Sequence, residues 1–318
     1  MSTFLKLLKN VVPLGLGLYL VYFSFENTAE EDRTQIISAI TQADLKFVLL
    51  SLVFGALSHL SRAYRWNFLL KPLGYQPSFI IRALTVMISY FSNLGIPRSG
   101  EVLRATALAT YANVPFQKGF GTIVTERIID IILLLFFIGF GFLLNRDLLL
   151  EVIENPTFNA YTLFWIAATA VLFFVFIRKL KHSQKLWATK IVGFFNGLWA
   201  GMLSVRTMKN RWEFIAHTLF IWGMYLMMFW VVTFALPETS GLPLSAILPA
   251  FIAGGFAMSA TNGGIGLYPL AVAAILQAFA VPYPQALAFG WVMWTGQTLM
   301  VIVFGSLSFL LLPILSKK

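Results

Sequence analysis

From Ala286 to Leu312 the chain carries no charged side chain. About twenty apolar residues in a helix are enough to cross the hydrocarbon of a bilayer, so this run alone commits the chain to a membrane. Further apolar runs cover Val11–Phe25, Leu45–Leu60, Thr122–Leu144, Tyr161–Ile177 and Phe214–Leu236. In hydrocarbon a backbone must satisfy its own amides and carbonyls, and for runs of this length that means helices. The expected fold class is an all-α polytopic membrane protein with about six full spans. The composition, 58% hydrophobic and 11% charged over 318 residues, leaves no room for a second, soluble domain. Residues 1–318 therefore read as a single transmembrane domain.

No small-x-small cleavage pattern separates Val11–Phe25 from the acidic stretch beginning at Glu26. That first run reads as a retained helix rather than a cleaved leader. The absence of cysteine excludes disulfides and Cys-ligated metal centres. His59, His182 and His217 lie far apart, without metal-ligand spacing, so no metal and no cofactor is expected. A net charge of +10 reads as basic cytoplasmic loops facing anionic lipid, not as a nucleic-acid surface.

Charge bias in the loops sets sidedness. Glu26, Glu30, Glu31, Asp32 and Asp44 outnumber Arg33 and Lys46 in the first loop, which is external; Arg62, Arg65, Lys71 and Arg82 mark a cytoplasmic segment. Asp147, Glu151 and Glu154 against Arg146 place the loop after Thr122–Leu144 outside. Arg178, Lys179, Lys181, Lys185, Lys190, Arg206, Lys209 and Arg211 bring the chain back inside. Trp187–Leu203, aromatic and amphipathic, is expected to lie along the inner interface. Glu238 is external, and Lys317 and Lys318 are internal. Both termini are thus expected in the cytoplasm of a cell whose cytoplasmic (inner) membrane holds the chain.

Two segments must return to the side from which they start. The first, about 79–118, begins and ends inside; the second, about 244–284, begins and ends outside. Each is expected to be a helix pair, re-entrant or tilted, broken at Gly95-Ile-Pro-Arg-Ser-Gly100 in one and Asn262-Gly-Gly-Ile-Gly266 in the other. Proline and glycine interrupt the helix there and free backbone groups that must be buried in protein or meet water. The segments also match at a constant shift: Ser78 with Ser245, Ala83 with Ala250, Ser92 with Ser259, Ala107 with Ala274, and Val114-Pro115 with Val281-Pro282. Their shared order, starting from opposite faces, predicts hairpins related as an inverted repeat, with a site near their interface.

Charges within such sequence mark sites by default. Arg98 and Arg104 flank Glu101, and the planar guanidinium fork suits phosphate oxygens; self-neutralising Arg–Glu pairing is the plainer alternative. Glu126 and Asp130 are one helical turn apart, with Arg127 three residues before Asp130. They either anchor the helix end or line an inner vestibule, and the two roles are compatible. Gly263, Gly264 and Gly266 do not form a soluble phosphate loop, because no Lys-Ser/Thr follows and no strand precedes. Within a membrane they permit close packing and expose amides at a half-helix N-terminus, which favours anions. Gly201, Gly254 and Gly255 read as packing residues. Arg62 and Arg65, with Trp66, are expected to anchor the inner interface, and His59 to be a polar helix residue. Tyr268, Gln277, Trp294, Thr295 and Gln297 are unranked hydrogen-bonding candidates.

His59-Leu-Ser-Arg62-Ala-Tyr-Arg65-Trp66, Ile96-Pro97-Arg98-Ser-Gly100-Glu101-Val-Leu-Arg104, Glu126-Arg127-Ile-Ile-Asp130 and Gly263-Gly264-Ile-Gly266 together resemble the recurrent motifs of one family. It is the lysylphosphatidylglycerol synthase transmembrane (flippase-like) family, which includes the membrane half of the multiple peptide resistance factor. The resemblance spans essentially the whole chain and implies movement of lipids or lipid-linked molecules between leaflets. Many relatives carry a glutamate soon after the glycine motif, where this chain has Leu267-Tyr268-Pro269. The soluble aminoacyl-transfer domain of the synthase members has no counterpart, so the chain is not expected to make lysyl-lipid by itself.

The leading expectation is a non-enzymic lipid flippase with no catalytic residue, acting on an anionic phospholipid or lipid-linked head group. Its site residues would be Arg98, Glu101, Arg104, Glu126, Arg127, Asp130, Gly263, Gly264 and Gly266. Its partner would be membrane lipid, not nucleic acid, and a homo-oligomer stays open. The alternative is a membrane enzyme or accessory subunit acting on lipids or lipid-linked sugars.

Overall fold

The structure is a computed structural model that describes residues 15–26, 28–96, 98–146 and 208–316. Those residues are helical throughout, with short connections and no strand among them. Helix α1 covers residues 15–26, α2 Glu30–Gln42, α3 Leu45–Leu70, α4 Phe79–Gly95, α5 Ser99–Ala112 and α6 Phe116–Leu144. After residues 147–207 come α7 (Arg211–Val232), α8 (Leu244–Ala260), α9 (Leu267–Ala278) and α10 (Tyr283–Leu315). The expected span Tyr161–Ile177, the interfacial helix Trp187–Leu203, the loop charges Asp147 to Glu154 and Arg178 to Arg206, Gly201, Pro97 and the terminal lysines lie outside the described residues.

Among the described residues, four helical segments are long and apolar enough to cross a bilayer: Leu45–Leu73, Phe116–Leu144, Arg211–Ala235 and Tyr283–Leu315. They correspond to four of the expected spans. The first is longer than expected. Instead of stopping near Leu60, α3 runs through Arg62, Arg65 and Trp66 and tightens into a 3-10 turn at Lys71–Leu73, closed by left-handed Gly74. Asp44 starts it by accepting the Lys46 amide at 2.9 Å; such a cap satisfies one of the orphan amides of the first turn.

The chain divides into two compact units, Met1–Val124 with Trp212–Lys318, and Thr125–Arg211. In the larger unit the helix pairs fold as hairpins. Gly100 lets α5 approach α4, because a Cβ there would collide with the Ser89 carbonyl. Gly254 does the same for α8 and α9, its face covered by the Tyr268 ring. Gly255 faces open space, so only the first glycine of that pair is a packing residue. At 17, 14, 17 and 12 residues for α4, α5, α8 and α9, the hairpin helices rise roughly 18–26 Å, short of the ~30 Å hydrocarbon core.

Both hairpins lie along α10. Gly290 receives the backbone of Pro269 from α9, and Gly305 receives the Phe91 ring from α4. Phe91 also meets Phe309, ring centroids 5.7 Å apart, and Ile88 packs with Leu312. The second hairpin therefore uses the N-terminal half of α10 and the first its C-terminal half. Small residues at these crossings suit helices that gain little from hydrophobic exclusion in lipid and rely on close packing. The hairpins also end alike. Asn113 (φ 52) and Ala280 (φ 62) are both left-handed non-glycine residues, and each precedes Val-Pro and a long helix.

Candidate functional site

The two helix breaks meet. Asn262 donates through Nδ2 to the Gly95 carbonyl at 2.8 Å, and a Cβ on Gly263 would strike the Leu94 side chain. The end of α4 leaves that carbonyl without a helical acceptor role, because the chain turns away at Ile96; Asn262 fills the gap. On the other side of the break, Asn93 Oδ1 accepts the Gly100 amide at 2.8 Å, and Ser99 Oγ donates to the Ser92 carbonyl at 3.0 Å. The α4–α5 turn is thus held by the Asn93 side chain from the last turn of α4 and the Ser99 side chain from the start of α5.

Gly263, Gly264 and Gly266 adopt φ of 60, 80 and 70, in the left-handed region where glycine alone is free of strain. Trp294 of α10 donates Nε1 to the Gly263 carbonyl at 2.7 Å, fixing this tip near the middle of α10. Gly266 lies against the Gly17 carbonyl, Leu20 and Val21 of α1, and Gly17 against Ile265. Gln297 Nε2 reaches the Tyr268 hydroxyl at 3.4 Å. Of the unranked candidates, Trp294, Tyr268 and Gln297 therefore face the hairpin, while Gln277 and Thr295 are exposed.

The larger unit buries four arginines: Arg62, Arg65, Arg82 and Arg104 are 3, 0, 6 and 1% exposed. All are tied to one stretch of α3. Arg62 and Arg65 lie on it, and Arg104 of α5 stacks on the Trp66 ring, 3.6 Å from its centroid. Arg82 of α4 donates Nη1 to the Ala63 and Tyr64 carbonyls at 2.9 and 3.1 Å, and Nε to Pro77 at 3.1 Å. Trp66 is held in turn by a 2.8 Å bond from Nε1 to the Thr122 hydroxyl. Arg65 Nη1 donates to Thr218 Oγ1 at 2.9 Å and lies over the Phe214 ring. Arg62 and Arg65 are thus interior groups rather than interfacial anchors, because α4 and α7 enclose the end of α3.

Arg98, by contrast, is exposed, and it takes a left-handed backbone (φ 60) as the N-cap of α5. Glu101 is half-buried in the first turn of the same helix. In the smaller unit, Glu126 is 0% and Asp130 9% exposed. Arg127 Nη1 pairs with Asp130 Oδ2 at 3.5 Å.

A second polar cluster, absent from the expected site, surrounds His59. Its ring lies 4.3 Å from that of Tyr90 and 6.1 Å from that of Tyr225, and the two tyrosine hydroxyls are 2.8 Å apart. Nearby, Ser61 Oγ is 2.8 Å from His217 Nδ1. One signal could have found these groups: Ser51, Gly55, Ser58, Arg62 and Arg65 recur at helical spacing and are all buried. No group of His, Cys, Asp and Glu suited to a metal ion occurs among the described residues.

Comparison with known families matches residues 10–305 to the family described as lysylphosphatidylglycerol synthase TM region. A UPF0104 membrane protein of Methanocaldococcus jannaschii is 26% identical over 281 residues, covering 80% of this chain and 81% of that protein. Another, from Pyrococcus horikoshii, is 29% identical over 137 residues, 42% of this chain and 39% of that protein. The glycosyltransferase AglD of Haloferax volcanii is 29% identical over 102 residues, 32% of this chain and 16% of that protein. No solved structure matches.

Proposed function

This chain belongs to the lysylphosphatidylglycerol synthase transmembrane family, and on that footing we propose that it moves an anionic phospholipid or lipid-linked head group between leaflets. The observation that carries this reading is the bond from Asn262 to Gly95, which joins two interrupted helix pairs tip to tip. Non-helical backbone is tolerated at membrane depth where protein or a water-filled cavity receives it, and broken helices meeting at a repeat interface are how many transporters build a substrate site. The hairpins occupy opposite halves of α10, are too short to cross, and end in matched left-handed residues before Val-Pro. These features support a re-entrant, inverted-topology repeat.

The arginines define the substrate class. A guanidinium binds phosphate oxygens through a planar fork and stays charged in apolar surroundings. In this reading Arg98, exposed at the tip, meets the head group first, and Arg104, stacked on Trp66, holds its phosphate. Glu101 tunes that pair, while Glu126, Arg127 and Asp130 brace α6. The positive-inside bias puts the arginine end of α3 and both termini on the cytoplasmic side of the cytoplasmic membrane. No nucleotide motif is present, so movement proceeds without ATP, and the chain acts as a transporter rather than an enzyme.

A second reading of the cargo comes from the relative named glycosyltransferase AglD: the head group is a lipid-linked sugar phosphate rather than a phosphoglycerol. The same arginines suit either. Leaflet-resolved transport of acyl-labelled lipids in proteoliposomes, across a panel of head groups, tests the function. Movement confined to anionic lipids supports it, and no movement of any lipid contradicts it.

A further inference from the structure

Asn262 joins the two helix breaks with only half of its carboxamide. The Gly95 carbonyl can only accept, so the Asn262 amide nitrogen must face it, and this settles which way the group is turned. The other half, Oδ1, belongs to a side chain 4% exposed, and no donor among the described residues reaches it. A buried acceptor without a donor bears its full desolvation cost, and such an atom calls for a water or an ion as partner. The side-chain donors that α10 brings to this hairpin are engaged elsewhere. Trp294 Nε1 goes to the Gly263 carbonyl, and Gln297 Nε2 to the Tyr268 hydroxyl and the Met293 carbonyl.

The residues around this oxygen supply further oxygens and no cationic side chain. Asn262 follows Thr261, the C-cap of α8, and the last carbonyls of a helix have no intrahelical partner. That of Ala257 accepts the Thr261 amide at 3.3 Å, while those of Met258, Ser259 and Ala260 form the negative end of the α8 dipole. The turn folds back onto that end, because a Cβ on Gly264 would meet Met258. Thr261, 2% exposed, donates its hydroxyl over 3.4 Å to the Ala257 and Ile265 carbonyls, which leaves its own lone pairs to accept. Thr261 to Gly264 are all buried, and Ser259 and Ala260 at their margin are exposed. From Leu244 to Pro284 the chain has no Lys, Arg, His, Asp or Glu. On the facing tip Arg98 and Glu101 carry opposite charges.

We propose that this turn binds a monovalent metal cation of sodium size, through Asn262 Oδ1 together with Thr261 Oγ1 and the carbonyls that end α8. Of the two helix ends at the break, an acceptor belongs with the negative one. Divalent cations are held largely through carboxylates, and this hairpin has none. Neutral oxygens at the C-terminal end of an interrupted helix suit sodium. A cation at Oδ1 also polarises the amide, which strengthens the bond from Nδ2 to Gly95. Sodium therefore tightens the junction between the two tips.

Thermal unfolding of the purified protein in detergent, in sodium chloride against choline chloride at equal ionic strength, tests the site. Sodium is expected to raise Tm saturably, as a ligand confined to the folded state does. Asn262→Leu should lose that rise. Asn262→Asp cannot donate to Gly95 but brings a carboxylate to the ion, and should reach half-saturation at several-fold less sodium. Equal Tm values for wild type in the two salts, or a sodium rise undiminished in Asn262→Leu, would overturn the proposal. Binding of radiolabelled sodium to the wild-type protein decides the matter if the leucine variant does not fold. Saturable binding of one ion per chain is expected, and no saturable binding overturns it. Neither measurement involves lipid movement, so the site holds or fails apart from the translocase reading.

Discussion

Asn262 and Gly95 join the two helix breaks through one 2.8 Å side-chain-to-backbone bond. The Asn262 side chain is 4% exposed, so its loss leaves a carbonyl and the surrounding polar backbone poorly matched. Asn262→Leu is expected to cost about 1–3 kcal/mol, seen as a lower Tm in detergent, and to slow lipid movement. An unchanged Tm would separate the tips energetically.

The glycines make a graded prediction. A Cβ at Gly290 would meet the Pro269 backbone, which cannot give way, so Gly290→Ala is expected to destabilise by about 1–3 kcal/mol. Gly255 faces open space inside α8, and Gly255→Ala should be neutral or stabilising by up to about 1 kcal/mol through helix propensity. Thermal unfolding of the two variants side by side checks the packing directly.

Arg104 and Trp66 are 3.6 Å apart, guanidinium to ring centroid. Arg104→Lys keeps the charge but loses the planar stacking and the fork. A loss of about 1–2 kcal/mol in lipid affinity or stability is expected, in line with a desolvated cation–π contact. Trp66→Phe should lose less stacking but also the bond to Thr122. Equilibrium binding of a short-chain anionic lipid distinguishes them.

Much of this arrangement was legible in the residues. Both helix breaks fall where Gly-Ile-Pro-Arg-Ser-Gly and Asn-Gly-Gly-Ile-Gly predict them, because left-handed backbone and proline leave a local imprint. Arg62 and Arg65 misled, because beside Lys71 and Arg82 they look like a basic loop. Arg65, for one, is enclosed by Thr218 and Phe214, more than a hundred residues away. Local sequence carries no trace of such a partner. The same holds for His59, whose tyrosines come from two other helices. Gly254 and Gly255 are equivalent as letters, and only the crossing of α9 tells them apart.

Sidedness is open to labelling, since the chain has no cysteine of its own. Single cysteines at Ala112, at the end of the first hairpin, and at Gln277, near the end of the second, should react from opposite faces: Ala112→Cys from the cytoplasm and Gln277→Cys from outside. Reaction of both from one face would rule out the inverted arrangement.

The central claim is that the chain moves anionic lipid through a site built on its arginines. Its most direct test is leaflet-resolved transport in proteoliposomes, comparing wild type with Arg98→Ala and Glu101→Gln after each variant is shown to be folded. Wild type is expected to equilibrate anionic lipids and spare zwitterionic ones, with both variants slowed by tenfold or more, on the order of 1.4 kcal/mol in the barrier. Wild-type rates no faster than protein-free vesicles for every lipid, or variants as fast as wild type, would contradict the account.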